Sequence, residues 1–358
     1  MEGEIESFIK VWIIAILCFS YCYYISSRLP KGITRLLSLL PVFYLLIILP
    51  LDLHSFHLGA PTTFFLVWLA TFKLLLFSFG KGPLSSSPSK NIFHFIAIAS
   101  LPIKIRQNPP QKFIKNTIIK EINTNPFDPN GSRVPKSILV AIKVLLLALI
   151  IKTYEYRAYL HPYLTLLLYC LHMYIGIETV LALVALPART IFGFELEPQF
   201  NEPYLTTSLQ DFWGRRWNLM VSSVLRETAY DPIRRASLEI IGPKWAQFLG
   251  VMSSFVVSGL MHEAIYYYLS RARPTWEVTL FFLIQGASTG IEIAAKKAAG
   301  DTWRPHKVVT RVLTLGFLTL TGNWLFFPQL LRNGVHEKGI KEYSLIIDFV
   351  KAGLRYHS

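Results

Sequence analysis

The sequence predicts an all-α, polytopic transmembrane helical bundle of about eight spans, and three observations carry that prediction. Hydrophobic residues make up 52% of the 358 positions and charged residues only 16%. Mean hydropathy is +0.40. Several apolar runs approach or reach the roughly 18 to 20 residues that cross a hydrocarbon core as a helix. Helices are the economical solution, because each backbone polar group is then satisfied within its own segment.

The spans read, in order, Phe8 to Ser26, Leu36 to Leu53, Thr62 to Phe79, Ile138 to Ile151, Tyr163 to Leu186, Phe248 to Leu269, Trp276 to Ala295 and Val308 to Phe327. The fourth is short. The first is preceded by Glu2, Glu4 and Glu6 rather than by basic residues, and it is long and aromatic. It therefore reads as a retained span, not a cleaved signal peptide. Alternate connections collect about two-thirds of the lysines and arginines on one side, which the positive-inside rule makes cytosolic, leaving the N-terminus lumenal. Residues 1–358 then form a single integral membrane domain. Segment 187–247 lies on the cytosolic side, and a histidine-bearing span follows at 248–269.

A net charge of +14 would suggest nucleic acid in a soluble domain, but here it is scattered through the connections. Anionic headgroups of membrane lipid, or a phosphate-bearing ligand, fit better, and nucleic acid does not. Cys18, Cys22 and Cys170 lie inside apolar runs and form no disulfide or metal pattern. Between the third and fourth spans, Ser85 to Ser89 and Asn123 to Gly131 are rich in turn residues. That stretch reads as a surface loop carrying a basic amphipathic piece near Ile92 to Ile105. No inverted repeat of the transporter kind is evident. Ionisable residues at membrane depth are paired, snorkelling or functional. Lys73 and Glu178 are expected to pair with each other, Lys143 to snorkel, and Glu292 to pair with Lys296 one turn later.

Two stretches carry chemistry. Ser208 to Asn218 is a charged, tryptophan-rich island, and Ser208 with Asp211 three residues later signals a helix start near Leu209. As one helix, this places Asp211, Arg215 and Asn218 on one face and Trp213 and Trp217 on another. It is either an interfacial anchor or half of a site. The sixth span holds His262 beside Glu263, with Ser258 and Gly259 one turn earlier, Phe255 further along and Tyr266 one turn later. The small residues leave either a slot under the imidazole or a close helix crossing. The second histidine of a zinc-protease pattern is missing, and no metal cluster, phosphate loop or serine elbow is present.

Pro198 to Tyr204, Ser208 to Ser222 and Ser258 to Glu263 resemble the plant wax synthase family, within the membrane-bound O-acyltransferase superfamily. Ser55 to Gly59, Trp68 to Leu76 and Arg271 to Glu277 are similar to it too. The resemblance spans most of the chain, apart from the Lys104 to Pro135 loop and the C-terminal tail. It implies transfer of a fatty acyl group from acyl-CoA to a lipid hydroxyl, with no cofactor beyond acyl-CoA as co-substrate. The acceptor is a long-chain fatty alcohol or, alternatively, a sterol. The superfamily's histidine carries over to His262 and its asparagine to Asn218. Animal sterol acyltransferases end that motif Asp-Trp-Trp-Asn, whereas here Phe-Trp-Gly-Arg-Arg-Trp separates Asp211 from Asn218. The endoplasmic reticulum is the expected membrane.

An alcohol needs a base to take its proton as it attacks the thioester, and His262 is the candidate. Asn218 is the candidate donor to the developing oxyanion. Arg215 and Arg216, with Trp213 and Trp217 beside them, are expected to meet CoA. His262 lies past the middle of its span. An internal tunnel past Ser258, Gly259, Phe255 and Tyr266 would bring the thioester to it.

Overall fold

A computed structural model describes residues 2–86, 91–106, 136–300 and 306–344. The expected turn-rich loop at Asn123 to Gly131 and the C-terminal tail lie outside them. The described residues form a helical bundle: α1 (Glu2–Tyr24), α2 (Ile33–Ile48), α3 (Phe56–Ser78), α4 (Ile92–Ser100), α5 (Lys136–Thr153), α6 (Pro162–Thr190), α7 (Leu219–Leu225), α8 (Asp231–Ser270), α9 (Glu277–Ala299), α10 (Lys307–Thr321) and α11 (335–344). Seven helical segments among them are long and apolar enough to cross a membrane. The eighth expected span, α5, is a helix but stands apart from these seven, having lysines at 136, 143 and 152 along its eighteen residues.

Among the described residues four segments are wound as π-helix: Phe64–Ala70 inside α3, Phe212–Arg216, Arg226–Tyr230 and Gly322–Phe326 after α10. Such widened turns cluster at functional sites. α8 is two helices. Gly242 takes φ 77°, ψ 169° inside it, a positive φ that only glycine adopts without cost, and Pro243 forbids a helical conformation just before it. Residues 231–241 thereby run in a different direction from the long span that carries His262.

With lipid outside, helices associate by close packing and not by hydrophobicity, so small residues mark the seams. The α8–α9 seam shows this. A Cβ on Gly290 would lie 2.5 Å from the Phe248 ring, one on Gly286 2.9 Å from Phe255 Cβ, and one on Gly259 3.0 Å from Thr279 Cα. A first core joins α1, α2, α3 and α4 through Phe19, Leu39, Leu46, Leu74 and Phe95. A second joins Trp68 and Leu69 to Leu181, Phe200, Met220 and Val221, and a third joins Phe255 and Tyr266 to Phe281, Phe282 and Leu325.

The charged residues in the spans correct one expectation and bear out another. Lys73 does not pair with Glu178. It is fully buried and donates to the carbonyls of Ile98 at 2.7 Å and Leu101 at 2.6 Å, at the end of α4. Glu178 pairs instead with Lys143, 2.6 Å away on the neighbouring α5. Glu292 and Lys296 pair at 2.6 Å as their spacing dictates. α4 is likewise not a surface piece, for Phe95, Ile98 and Ala99 are buried in the first core. At the end of the bundle near the N-terminus, the Glu342 carboxylate caps α3. It accepts from the Ser55 hydroxyl at 2.8 Å, from the N–H groups of Phe56 and His57 at 2.6 and 2.9 Å, and lies 2.8 Å from His57 Nδ1. A carboxylate at a helix N-terminus meets both the unpaired donors and the positive dipole end.

Candidate active site

His262 sits on α8 inside a ring of aromatics from three other segments. Phe282 of α9 lies 4.4 Å from it between ring centroids, Trp68 of the α3 π-segment 5.2 Å, and Phe326 of the last π-segment 5.6 Å. Its Nδ1 is 2.7 Å from the carbonyl oxygen of Ser258. A carbonyl can only accept, so Nδ1 carries the proton and the neutral ring keeps its lone pair on Nε2. The side chain is half-buried in spite of its ring of neighbours. A basic nitrogen of fixed tautomer, walled by apolar faces, is what this arrangement offers chemically.

The four residues expected along a tunnel are all buried. Ser258 holds the histidine, and Gly259 lets Thr279 approach. Phe255 packs edge-on against Trp213 at 5.6 Å, and Tyr266 donates to the Phe326 carbonyl at 2.7 Å.

The Ser208 start is as the spacing predicts: the Ser208 hydroxyl accepts from the Asp211 N–H at 3.1 Å. The Leu209 N–H is clasped by Glu292 at 2.8 Å, which joins this start to α9. The expected single helix through Asn218 is corrected, however. Its last bond runs from the Trp217 N–H to the Phe212 carbonyl, a π-type closure, after which Trp217 is extended (φ −98°, ψ 124°) and Asn218 left-handed (φ 39°, ψ 67°). Asn218 thereby leaves the face of Asp211 and becomes the N-cap of α7, its Oδ1 accepting from the Val221 N–H at 3.3 Å. Asparagine suits both roles, for it tolerates left-handed backbone and caps well.

The same break separates the two tryptophans expected on one face. Trp213 turns toward α8 and α9, near Phe255, Phe281 and Phe282, and donates to Gln285 Oε1 at 3.3 Å. Trp217 stacks on Phe212 and meets Phe200 and Tyr174. The two arginines also differ. Arg216 donates to Asp211 at 2.5 Å and to the carbonyls of Asn201 and Glu202 at 3.2 Å. Arg215 is exposed, with no hydrogen-bond or ion-pair partner among the described residues. No hydrogen bond joins Asn218 to His262. The island reaches the imidazole instead through Trp213, whose ring lies 6.0 Å from Phe282, which in turn lies 4.4 Å from His262.

Sequence reasoning did not single out Phe282, Phe326 or Gln285, and took Trp68 only as part of a family likeness. Two of these carried a signal. Trp68 is a tryptophan in mid-span, away from the interface such residues prefer, and Gln285 is an amide in an apolar run that must find partners there. Gln285 is fully buried, and its other end donates to Thr321 at 2.8 Å. Among the described residues no group of three His, Cys, Asp or Glu could hold a metal. A shallow cleft bordered by Thr275, Glu277 and Leu283 lies toward the start of α9 and contains none of these groups.

Residues 196–284, which contain the island, His262 and Phe282, match the model of the membrane bound O-acyl transferase family. Over 98% of both chains the protein is 50% identical to a probable long-chain-alcohol O-fatty-acyltransferase 1 of Arabidopsis thaliana. It is 47% identical to the long-chain-alcohol O-fatty-acyltransferase of Simmondsia chinensis over 99% of this chain and 98% of that one. It is 44% identical, over 95% of each, to acyl-CoA–sterol O-acyltransferase 1 of Arabidopsis thaliana. The chain belongs to the long-chain-alcohol O-fatty-acyltransferases, a family of integral membrane proteins within the membrane-bound O-acyltransferases.

Proposed function

We propose that the protein transfers a long-chain fatty acyl group from acyl-CoA to a long-chain fatty alcohol, giving a wax ester and free CoA. The observation that carries the mechanism is the 2.7 Å contact of His262 Nδ1 with Ser258, which leaves Nε2 as the proton acceptor. The alcohol O–H gives its proton to Nε2 as its oxygen bonds to the thioester carbonyl carbon. The carbonyl oxygen becomes an oxyanion, which the Asn218 amide N–H stabilises. When the carbonyl re-forms, the carbon–sulfur bond breaks and the thiolate takes the proton back from His262. The aromatic ring of Trp68, Phe282 and Phe326 excludes water and so suppresses thioester hydrolysis.

Acyl-CoA enters as co-substrate from the cytosol, its phosphates meeting the unpaired Arg215, while Arg216 serves to hold the motif. A tunnel leads the pantetheine arm inward, and the alcohol arrives from the lipid. Residues 1–358 act as one domain in the endoplasmic reticulum membrane, with the N-terminus lumenal. The 44% identity to a sterol acyltransferase favours one second reading, the same chemistry on a sterol hydroxyl. The test supplies microsomes bearing the protein with labelled acyl-CoA and, in parallel, fatty alcohol, sterol and diacylglycerol. Labelled wax ester is expected. Steryl ester alone would move the reading to the sterol, and no ester from any acceptor would refute the enzyme class.

A further inference from the structure

Lys73 is a charged side chain in the middle of a span, fully buried, and both of its hydrogen bonds go to backbone carbonyls. An ammonium at membrane depth is expensive to keep, and one without a carboxylate more so. Its two acceptors are Ile98 and Leu101, where α4 ends with its unpaired carbonyls and negative dipole end, a favourable place for a cation.

The next residue continues the chain of contacts. The Pro102 carbonyl accepts from the Gln199 side-chain amide at 2.7 Å. Around it, residues 104–106 pair with 195–197. The Arg106 N–H donates to the Glu195 carbonyl at 2.8 Å and the Glu197 N–H to the Lys104 carbonyl at 2.9 Å, and the Lys104 and Glu197 side chains pair at 2.7 Å. This short ribbon grips the island at its break. The Gln199 carbonyl accepts from the Leu219 N–H at 2.8 Å, and the Asn201 N–H donates to the Arg216 carbonyl at 2.9 Å. Residues 216 and 219 bracket Asn218, whose left-handed backbone is held from both sides.

We infer that Lys73 is a positioning residue for the transfer reaction: through the end of α4 and Gln199 it fixes where the Asn218 amide points. The inference rests on the reading of Asn218 as the oxyanion donor. Trp68, one turn and a residue before Lys73 on α3, touches His262. One helix thus sets both halves of the site, the imidazole through Trp68 and the amide through Lys73.

Lys73→Met keeps the length of the side chain and removes its donors, and Gln199→Leu breaks the next link without touching the buried lysine site. Each is expected to lower kcat about tenfold or more, as small displacements of a catalytic group do, while KM for acyl-CoA stays within about twofold. Asn218→Asp keeps the cap and the left-handed backbone but removes the amide N–H. In that background neither variant should lower kcat further. Normal kcat per folded enzyme in either variant, or losses that multiply with that of Asn218→Asp, would overturn the role of Lys73. Full kcat in Asn218→Asp itself would instead overturn the oxyanion assignment, and the inference with it. Should Lys73→Met not fold, Gln199→Leu alone decides.

Discussion

His262 Nδ1 lies 2.7 Å from the carbonyl oxygen of Ser258, one turn earlier on the same helix. The contact makes use of an oxygen already in the helix ladder to orient the ring and choose its tautomer, so Nε2 is left as an acceptor without help from a carboxylate. Replacing His262 by Ala or Gln should leave a folded, inserted protein and reduce turnover about 10²–10⁴-fold, the range of a positioned base. Ester formed per milligram of folded protein is the measurement, and near-normal turnover in His262→Gln rules the base assignment out.

Asn218 has one observed task, the α7 cap, and one proposed task, the oxyanion donor, which a single substitution can separate. Its Oδ1 caps α7, and Asp can do the same at that backbone conformation. Asn218→Asp should therefore melt close to the wild-type temperature in detergent yet lose about 10²-fold in kcat, the order seen when one oxyanion donor is removed. An equal fall in melting temperature and activity would point to a purely structural residue.

Arg215 and Arg216 are adjacent but should respond differently. Arg215→Gln is expected to raise KM for acyl-CoA about tenfold, the worth of one charge-assisted hydrogen bond, with kcat held. Arg216→Gln strands the Asp211 carboxylate and frees the carbonyls of Asn201 and Glu202, so its signature is a lower yield of folded protein. Kinetics on matched amounts of folded protein distinguish the two, and identical profiles would contradict the division of labour.

Glu342 predicts a pH dependence at the far end of the bundle. Burial pushes its carboxyl up, but the donors of His57, Phe56 and Ser55 outweigh that and hold it at about 2. A depressed folded-state value means the carboxylate stabilises the protein above its unfolded value of about 4.3 and that this contribution fades as pH falls toward 2. Thermal melts between pH 6 and pH 2 should therefore show a smaller drop for Glu342→Gln than for wild type. Parallel curves would mean that the cap contributes nothing.

The start at Ser208, the Glu292–Lys296 pair and most of the spans were legible because each depends on residues within a turn or on a run of fixed length. The island's end was not. A wide π-turn closed by Trp217 on Phe212, in place of one more α-turn, sent Trp213 and Trp217 into different cores and left Asn218 as a cap. Residue types alone do not distinguish a five-residue closure from a four-residue one.

The sequence by itself determined that the chain is a membrane helical bundle and where most spans lie, and it singled out His262 and the island as candidates for the chemistry. Only the tertiary structure decided which residues meet. It brought Trp68, Phe282 and Phe326 around His262, gave Lys73 the end of α4 and Glu178 to Lys143, and set Glu342 on His57 across 285 positions. The reason is physical. Hydropathy fixes how a segment meets lipid, but every span meets lipid equally well, so the choice of neighbour rests on small-residue seams and buried polar contacts that form once the helices pack.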